Sequence, residues 1–348
     1  MKTRRRRAEL VGEYLTSLGI AFCIALAMIP LLRGVPVSLF IVVPGSALLY
    51  GTAFFVLGFI RSRIRIGSFT VNIIVQTLLM AATVLGCFIA IVWFFVYVQF
   101  HRQGGTEAVW PFVVDFVFLK PLNVVLEFAG LMLAGLINFS FELGKKLGPG
   151  VLTNWITGKY YTPREEELVF MFVDMKDSTM LAEKLGAIKF SSLIRDFFQD
   201  MTVPLLESRA RVSHYIGDEA VIYWKPEDAV KLKGCIEFFK SFEEMIQDRA
   251  AYYQASYGLV PEFKAGMHMG PVVATEVGEV KSEIVFHGDV LNTTARIQSM
   301  CGELGHKLLA SRNLASKLTL PKGAVMSALG PVHLKGKAEE MELVGIEV

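Results

Sequence analysis

The chain has 348 residues, 53% hydrophobic and only 20% charged, with a mean hydropathy of +0.46, which excludes collagen-like, disordered and coiled-coil classes. Up to Tyr160, 14 Lys and Arg face 6 Asp and Glu; from Tyr161 onward 21 face 27, leaving a net charge of +2. A basic, apolar front and a mildly acidic back read as a membrane region joined to a soluble domain, and the acidic back argues against nucleic acid as a partner.

Four apolar stretches, 15–32, 36–60, 69–100 and 111–140, are long enough to cross a bilayer, which takes about 20 residues. Arg4 to Arg7 precede the first, Arg61, Arg63 and Arg65 separate the second and third, and Lys145 and Lys146 follow the fourth. The positive-inside rule places these three segments, and both chain ends, in the cytoplasm. Cleavage after the first stretch is not expected, because another apolar run begins three residues later and Phe22 stands before Cys23. Within the fourth stretch Asp115 and Lys120 suit an interface, whereas Glu127 lies at depth, where an ionisable group marks a candidate signal site. The expected organisation is therefore a four-helix transmembrane domain over 1–140, a helical connector over 141–167 rich in Gly and Pro, and a soluble domain over 168–348. The expected location is the inner (plasma) membrane, multi-pass, with the soluble domain in the cytoplasm.

From Leu168 the texture becomes α/β. Residues 168–173 form an apolar run of strand length, and 180–185 read as a helix stopped by Gly186. Leu193, Phe197 and Met201 recur at a spacing of four, which suits a buried helix face. Residues 212–216 and 220–224 flank Gly217-Asp218-Glu219 as a hairpin. A helical stretch at 229–257, a strand at 263–274 and a turn entering a helix at 289–300 follow. Cys23, Cys87, Cys235 and Cys301 are far apart with no CxxC pair, so they read as buried reduced thiols.

Two carboxylates stand out. Asp174 ends the apolar strand and Asp218 sits at the hairpin tip, positions suited to hard divalent cations. The segment Lys176-Asp177-Ser178-Thr179 opens a helix whose free N–H groups attract phosphate oxygens. Ser178 or Thr179 equally suits an ordinary N-cap, and Gly217-Asp218 an ordinary turn. His268 and His287 lack partners at zinc spacing. His268 reads as a packed strand residue, and Asp289 as the cap of the helix that follows.

Taken together, five segments change the balance. Residues 172–179 resemble the opening motif of the class III adenylate/guanylate (nucleotidyl) cyclases, and 215–219 resemble their metal-binding hairpin. Residues 264–272 look like their central strand, 288–296 like their Asn/Arg segment, and 334–337 like their terminal phosphate-binding strand. The resemblance covers about 168–346, in family order. It implies a ferredoxin-like βαββαβ α/β catalytic domain working as a head-to-tail homodimer of a membrane-anchored bacterial type. Two Mg²⁺ or Mn²⁺ ions would be held by Asp174, Asp218 and the carbonyl of Met175. Asn292 would orient the ribose and Arg296 would stabilise the reacting phosphate, both from the partner protomer. Lys335 would contact the outer phosphates, beside the phosphate-facing turn Lys176 to Thr179. The implied reaction converts ATP to cyclic AMP and pyrophosphate.

The base pocket departs from the family pattern. His214 stands where adenylate cyclases carry a base-selecting lysine, and Val285 where they carry Asp or Thr; the Glu and Cys of guanylate cyclases are also absent. His287 is expected to line the same pocket. ATP is preferred because adenylate cyclases are the commoner bacterial membrane members, with GTP as the alternative substrate. A non-catalytic nucleotide-binding receptor or pseudo-cyclase module is the reading from another class; a channel or transporter resting on Asp115, Lys120 and Glu127 is a third. Residues 158–161 and Glu127 are expected to couple the membrane half to the catalytic half.

Overall fold

The computed structural model describes residues 69–102, a few single positions between 111 and 148, and residues 151–348 except 232 and 338. The first, second and most of the fourth expected spans lie outside the described residues, as do their flanking basic segments and Asp115, Lys120 and Glu127. The chain divides into two compact units, Met1–Lys146 and Leu147–Val348.

In the first unit, the third apolar stretch forms helix α1, Phe69–Arg102, of 34 residues. Val71, Ile74, Leu78, Leu79 and Trp93 are exposed along it. With only the described residues counted, no helix is both long and apolar enough to cross a membrane.

The second unit opens with the short helix α2, Val151–Ile156. Lys159 Nζ then reaches Glu166 Oε1 at 2.6 Å and Tyr160 Oη at 2.7 Å, while the Tyr160 hydroxyl donates to Glu166 Oε2 at 3.0 Å. Tyr160 itself is buried and Tyr161 exposed. Strand β1, Arg164–Met175, begins four residues before the apolar run, because Glu165 to Glu167 extend the ladder although their side chains are largely exposed. Helices α3 (Ser178–Leu185), α4 (Ala187–Asp200) and α5 (Thr202–Glu207) lead to the hairpin β2 (Arg211–Ile216) and β3 (Glu219–Trp224).

The expected helix over 229–257 is instead a π turn at Glu227–Lys231 followed by α6 (Gly234–Asp248) and α7 (Ala250–Tyr257). Arg249 at the break pairs with Asp200 of α4. Tyr253 also donates to Asp200, at 2.7 Å, and Tyr252 and Tyr257 each donate to Asp196 at 2.6 Å. Burying two aspartates is tolerable because phenolic or guanidinium donors satisfy both. Strands β4 (Phe263–Val277) and β5 (Glu283–His287), helix α8 (Asp289–Ser299), β6 (Leu308–Ser311), α9 (Arg312–Ala315), β7 (Val325–Val332) and β8 (Met341–Glu347) complete the unit.

The sheet runs β2-β3-β1-β4-β6-β8-β7, with β5 paired to β4. Its first four strands, with α3 to α5 and α6 to α7 as connections, are the expected βαββαβ unit. Alternation along β1 feeds two cores. Val169, Met171 and Val173 join Phe197, Phe238 and Phe242 on the side of α4 and α6. Phe170 and Phe172 join Tyr160, Phe286 and Val290 on the other. A third cluster, including Ile297, Cys301, Leu309 and Leu334, lies under α8. Cys235 and Cys301 are buried free thiols whose pKa is pushed up to about 12 by that burial, as reduced core cysteines should be.

Candidate active site

Three charged residues stand in register across neighbouring strands: Glu219 on β3, Asp174 on β1 and Lys264 on β4. Asp174 Oδ2 accepts from Gln298 Nε2 at 3.0 Å and pairs with Lys264 Nζ at 3.3 Å. Asp218, at the tight turn where Gly217 takes a φ of 60°, brings its carboxyl against that of Asp174. Burial and this like-charged neighbour hold the Asp174 pKa above the usual carboxylate range, against the pull of Lys264. Glu219 is pushed up to about 7 by burial, then by Asp174 and Asp218.

Asp218 Oδ2 is buried with no hydrogen-bond partner among the described residues. A buried carboxylate oxygen left unpaired beside a second carboxylate is costly, and a divalent cation would relieve both defects. Among the described residues no set of three or more His, Cys, Asp and Glu side chains is arranged to hold a metal. The donor set is thus two carboxylates, with a backbone carbonyl, water or phosphate oxygen left to complete the shell, which suits Mg²⁺ or Mn²⁺ better than zinc.

Beyond Asp174, the Lys176 amide donates to Glu262 O at 2.9 Å and its ammonium pairs with Glu262 at 3.2 Å. Asp177 occupies the N-cap of α3 in a left-handed conformation, φ 57°, with no side-chain cap bond. Neither Ser178 nor Thr179 is the cap; both lie in the first turn, which itself holds no acidic side chain.

Helix α8 carries the Asn/Arg segment. Its N-cap is Gly288, so Asp289 is not the cap expected from the sequence. Asp289 sits one residue inside, accepting from Thr293 at 3.1 Å and pairing with Lys337. Asn292 is exposed and Arg296 half-buried on the outer side of the helix, while Thr293, Thr294, Ile297 and Gln298 are buried beneath. Gly336, with φ 77°, lies over the Arg296 guanidinium, where an added Cβ would come 3.2 Å from Nη2. The structure therefore brings Arg296 to the loop that holds exposed Lys335 and the paired Lys337.

The three base-pocket candidates are on β2 and β5. His214 follows a register shift after Val212 and meets Ser213 Oγ at 2.9 Å. Val285 and His287 alternate onto the face of β5 that also carries Glu283, and Glu283 is close enough to His214 to oppose the lowering of its pKa by burial. His268 lies apart on β4, bonded to Ser311 at 2.7 Å and pushed down to about 4 by burial, a packed strand residue as expected.

Sequence reasoning missed Gln298, Lys264 and Glu219 as parts of the site. Lys264 and Glu219 lay inside the recognised segments, and their alignment with Asp174 follows only from strand register. Gln298 carried no local signal at all.

Residues 160–346 match the adenylate and guanylate cyclase catalytic domain family. The chain is 34% identical over 245 residues to adenylate cyclase 2 of Rhizobium meliloti (strain 1021), a stretch covering 70% of this chain and 64% of that relative's length. It is 36% identical over 78 residues to guanylate cyclase 2D of Rattus norvegicus, covering 22% and 7% of the two chains. Its fold is similar to that of a bacterial light-regulated adenylyl cyclase, with a TM-score of 0.54 at 16% identity over 66% of each chain.

Proposed function

Because the chain belongs to the adenylate and guanylate cyclase family, we propose that it is a membrane-anchored adenylate cyclase, converting ATP to cyclic AMP and pyrophosphate as a homodimer with shared sites. The observation that carries this reading is the pair of crowded carboxylates, Asp174 and Asp218, one with an orphaned buried oxygen. Asp174, Asp218 and the Met175 carbonyl would hold two Mg²⁺ or Mn²⁺ ions. When bound, such ions lower the cost of ionising the ribose 3′-hydroxyl and neutralise the triphosphate. The 3′-oxygen attacks the α-phosphorus in line and loses its proton as pyrophosphate leaves.

Asn292 orients the ribose, and Arg296 places its guanidinium where charge develops on the α-phosphate. Both come from the partner protomer, which accords with their position on the outer side of α8. Lys335 and the turn from Lys176 to Thr179 bind the outer phosphates. His214, Val285 and His287 line the base pocket. Adenine is the preferred base because the relative with the longer match is an adenylate cyclase.

The four-span membrane domain, cytoplasmic catalytic domain and plasma-membrane location are part of the same reading. They are supported by the apolar, basic-flanked first 146 residues and by the exposed Val71, Ile74, Leu78 and Trp93 of α1. Glu127 would sense the membrane-side stimulus and 158–161 would transmit it.

The test is to incubate the purified full chain with Mn²⁺ and either ATP or GTP and to identify the cyclic product. Cyclic AMP from ATP is expected. Cyclic GTP alone would reassign the base, a possibility raised by His214 and Val285, and full activity in Asp174→Ala would refute the metal assignment. Nucleotide binding at saturating metal without turnover would favour the non-catalytic receptor.

A further inference from the structure

Gln298 is only 6% exposed, a buried polar side chain whose amide nitrogen lies 3.0 Å from Asp174 Oδ2. An ionised carboxylate can only accept, so the NH₂ end of the amide faces it. The backbone of Gln298 is fixed as tightly as its side chain. A Cβ on Gly266 would fall 2.3 Å from Gln298 N and 2.6 Å from its Cα, so α8 lies directly on β4 at this residue. Lys264 Nζ engages the same oxygen at 3.3 Å. Both donors therefore act on Oδ2.

The two donors differ in what they do toward a divalent cation. Lys264 neutralises Asp174, but its own positive charge repels a second cation at that carboxylate. The amide of Gln298 carries no net charge, so it fixes the carboxylate's rotamer without opposing the ion. Outer partners of this kind orient a ligand, and their loss is felt in metal affinity rather than in fold.

We propose that Gln298 is a positioning residue for Asp174, holding its carboxylate by Oδ2 so that Oδ1 is presented to a divalent cation; this rests on the cyclase reading above. The bond also joins Asp174 to the helix that bears Asn292 and Arg296, so within one chain a single contact ties the carboxylate of one shared site to the helix that serves the other.

The experiment compares the full-length wild-type chain with Gln298→Met, which keeps length and removes the donor, and Gln298→Asn, which keeps the amide but falls one methylene short. Mn²⁺ binding is read by electron paramagnetic resonance in the presence of 3′-deoxy-ATP, which cannot cyclise; turnover of ATP is then titrated with Mn²⁺. Both variants should bind Mn²⁺ about tenfold or more weakly, the range seen for second-layer partners of metal ligands. At saturating Mn²⁺ their KM for ATP should stay within about twofold of wild type, a split that loss of folded protein would not produce. If Gln298→Met proves unfolded by its melting curve, Gln298→Asn carries the comparison. Equal Mn²⁺ affinity in wild type and a folded variant overturns the proposal alone. So does unchanged affinity with reduced turnover at saturating metal, which would place the effect in α8 rather than in Asp174. A wild-type chain that binds no Mn²⁺ overturns the cyclase reading itself, and the proposal with it.

Discussion

Replacing Gly266 by alanine is a sharp test of how the site is built. The new Cβ would stand 2.3 Å from Gln298 N, 2.6 Å from its Cα and 2.8 Å from its Cβ. Comfortable carbon contacts lie at about 3.5–4.0 Å, so α8 must move from β4 by roughly 1 Å, since two of the three obstructing atoms are backbone. Overpacking of this kind costs about 1–3 kcal/mol, which lowers the melting midpoint by roughly 2–12 °C for a domain of this size. The catalytic loss should be larger than the stability loss implies. Arg296 and Asn292 ride on α8, and a misplacement of about 1 Å can cost on the order of 100-fold in rate. Gly302→Ala is the control, because nothing lies within 4 Å of a Cβ there. The assays are a thermal melt and cyclic nucleotide production well below the melting midpoint. Wild-type turnover and melting in Gly266→Ala would refute the packing argument, while a lowered midpoint with full turnover would show that α8 does not set the rate.

Arg296→Ala should lower kcat by about 100- to 1,000-fold, the loss expected on removing one donor to developing charge, as measured by initial rates at saturating Mn²⁺. Glu219 is held up at about 7 against an ordinary 4.5, so the folded state binds its proton more tightly than the unfolded chain. Its contribution to stability is therefore present at low pH and is lost as pH rises from about 4.5 through about 7; without divalent metal, the melting midpoint should fall across that window less steeply in Glu219→Gln than in wild type. Tyr160→Ala removes a buried ring and should destabilise the catalytic unit by about 3–5 kcal/mol, whereas Tyr160→Phe, which keeps the ring and loses the hydroxyl's bonds to Lys159 and Glu166, should cost less, about 1–3 kcal/mol for the two bonds by denaturant titration.

The elements legible in the sequence were those whose signal is local. The run at 168–173 is apolar at every position because β1 is covered on both faces, and the Gly-Asp turn between two β-branched or aromatic segments marked its hairpin. Gly186 stopped α3 with a φ of 75°, as a C-terminal glycine does. The misreadings have equally physical origins. Helical periodicity runs unbroken through Arg249, yet there the backbone leaves the helix at φ −103° and ψ 11°, and the guanidinium pairs with Asp200, 49 residues earlier. Asp289 looked like a cap because capping is judged by residue type, yet the backbone that caps is Gly288 and the Asp289 carboxylate is taken by Lys337 from a distant loop.

The same division explains the site. Asp174 and Asp218 could be named from their context, since each terminates or turns a strand. What holds Asp174 comes from 90 and 124 residues further on, from Lys264 and Gln298, which only register and helix docking bring to it. Gly266 is the link between the two levels. In the sequence it is one glycine of a recognisable strand, but in the fold its missing side chain admits the backbone of Gln298. If α8 could not lie so close, the amide would not reach Oδ2, Asp174 would be left with Lys264 alone, and Asp174 would have no neutral donor holding it against the Asp218 carboxyl. The chemistry of the carboxylate pair thus depends on a packing feature that no charged residue reveals.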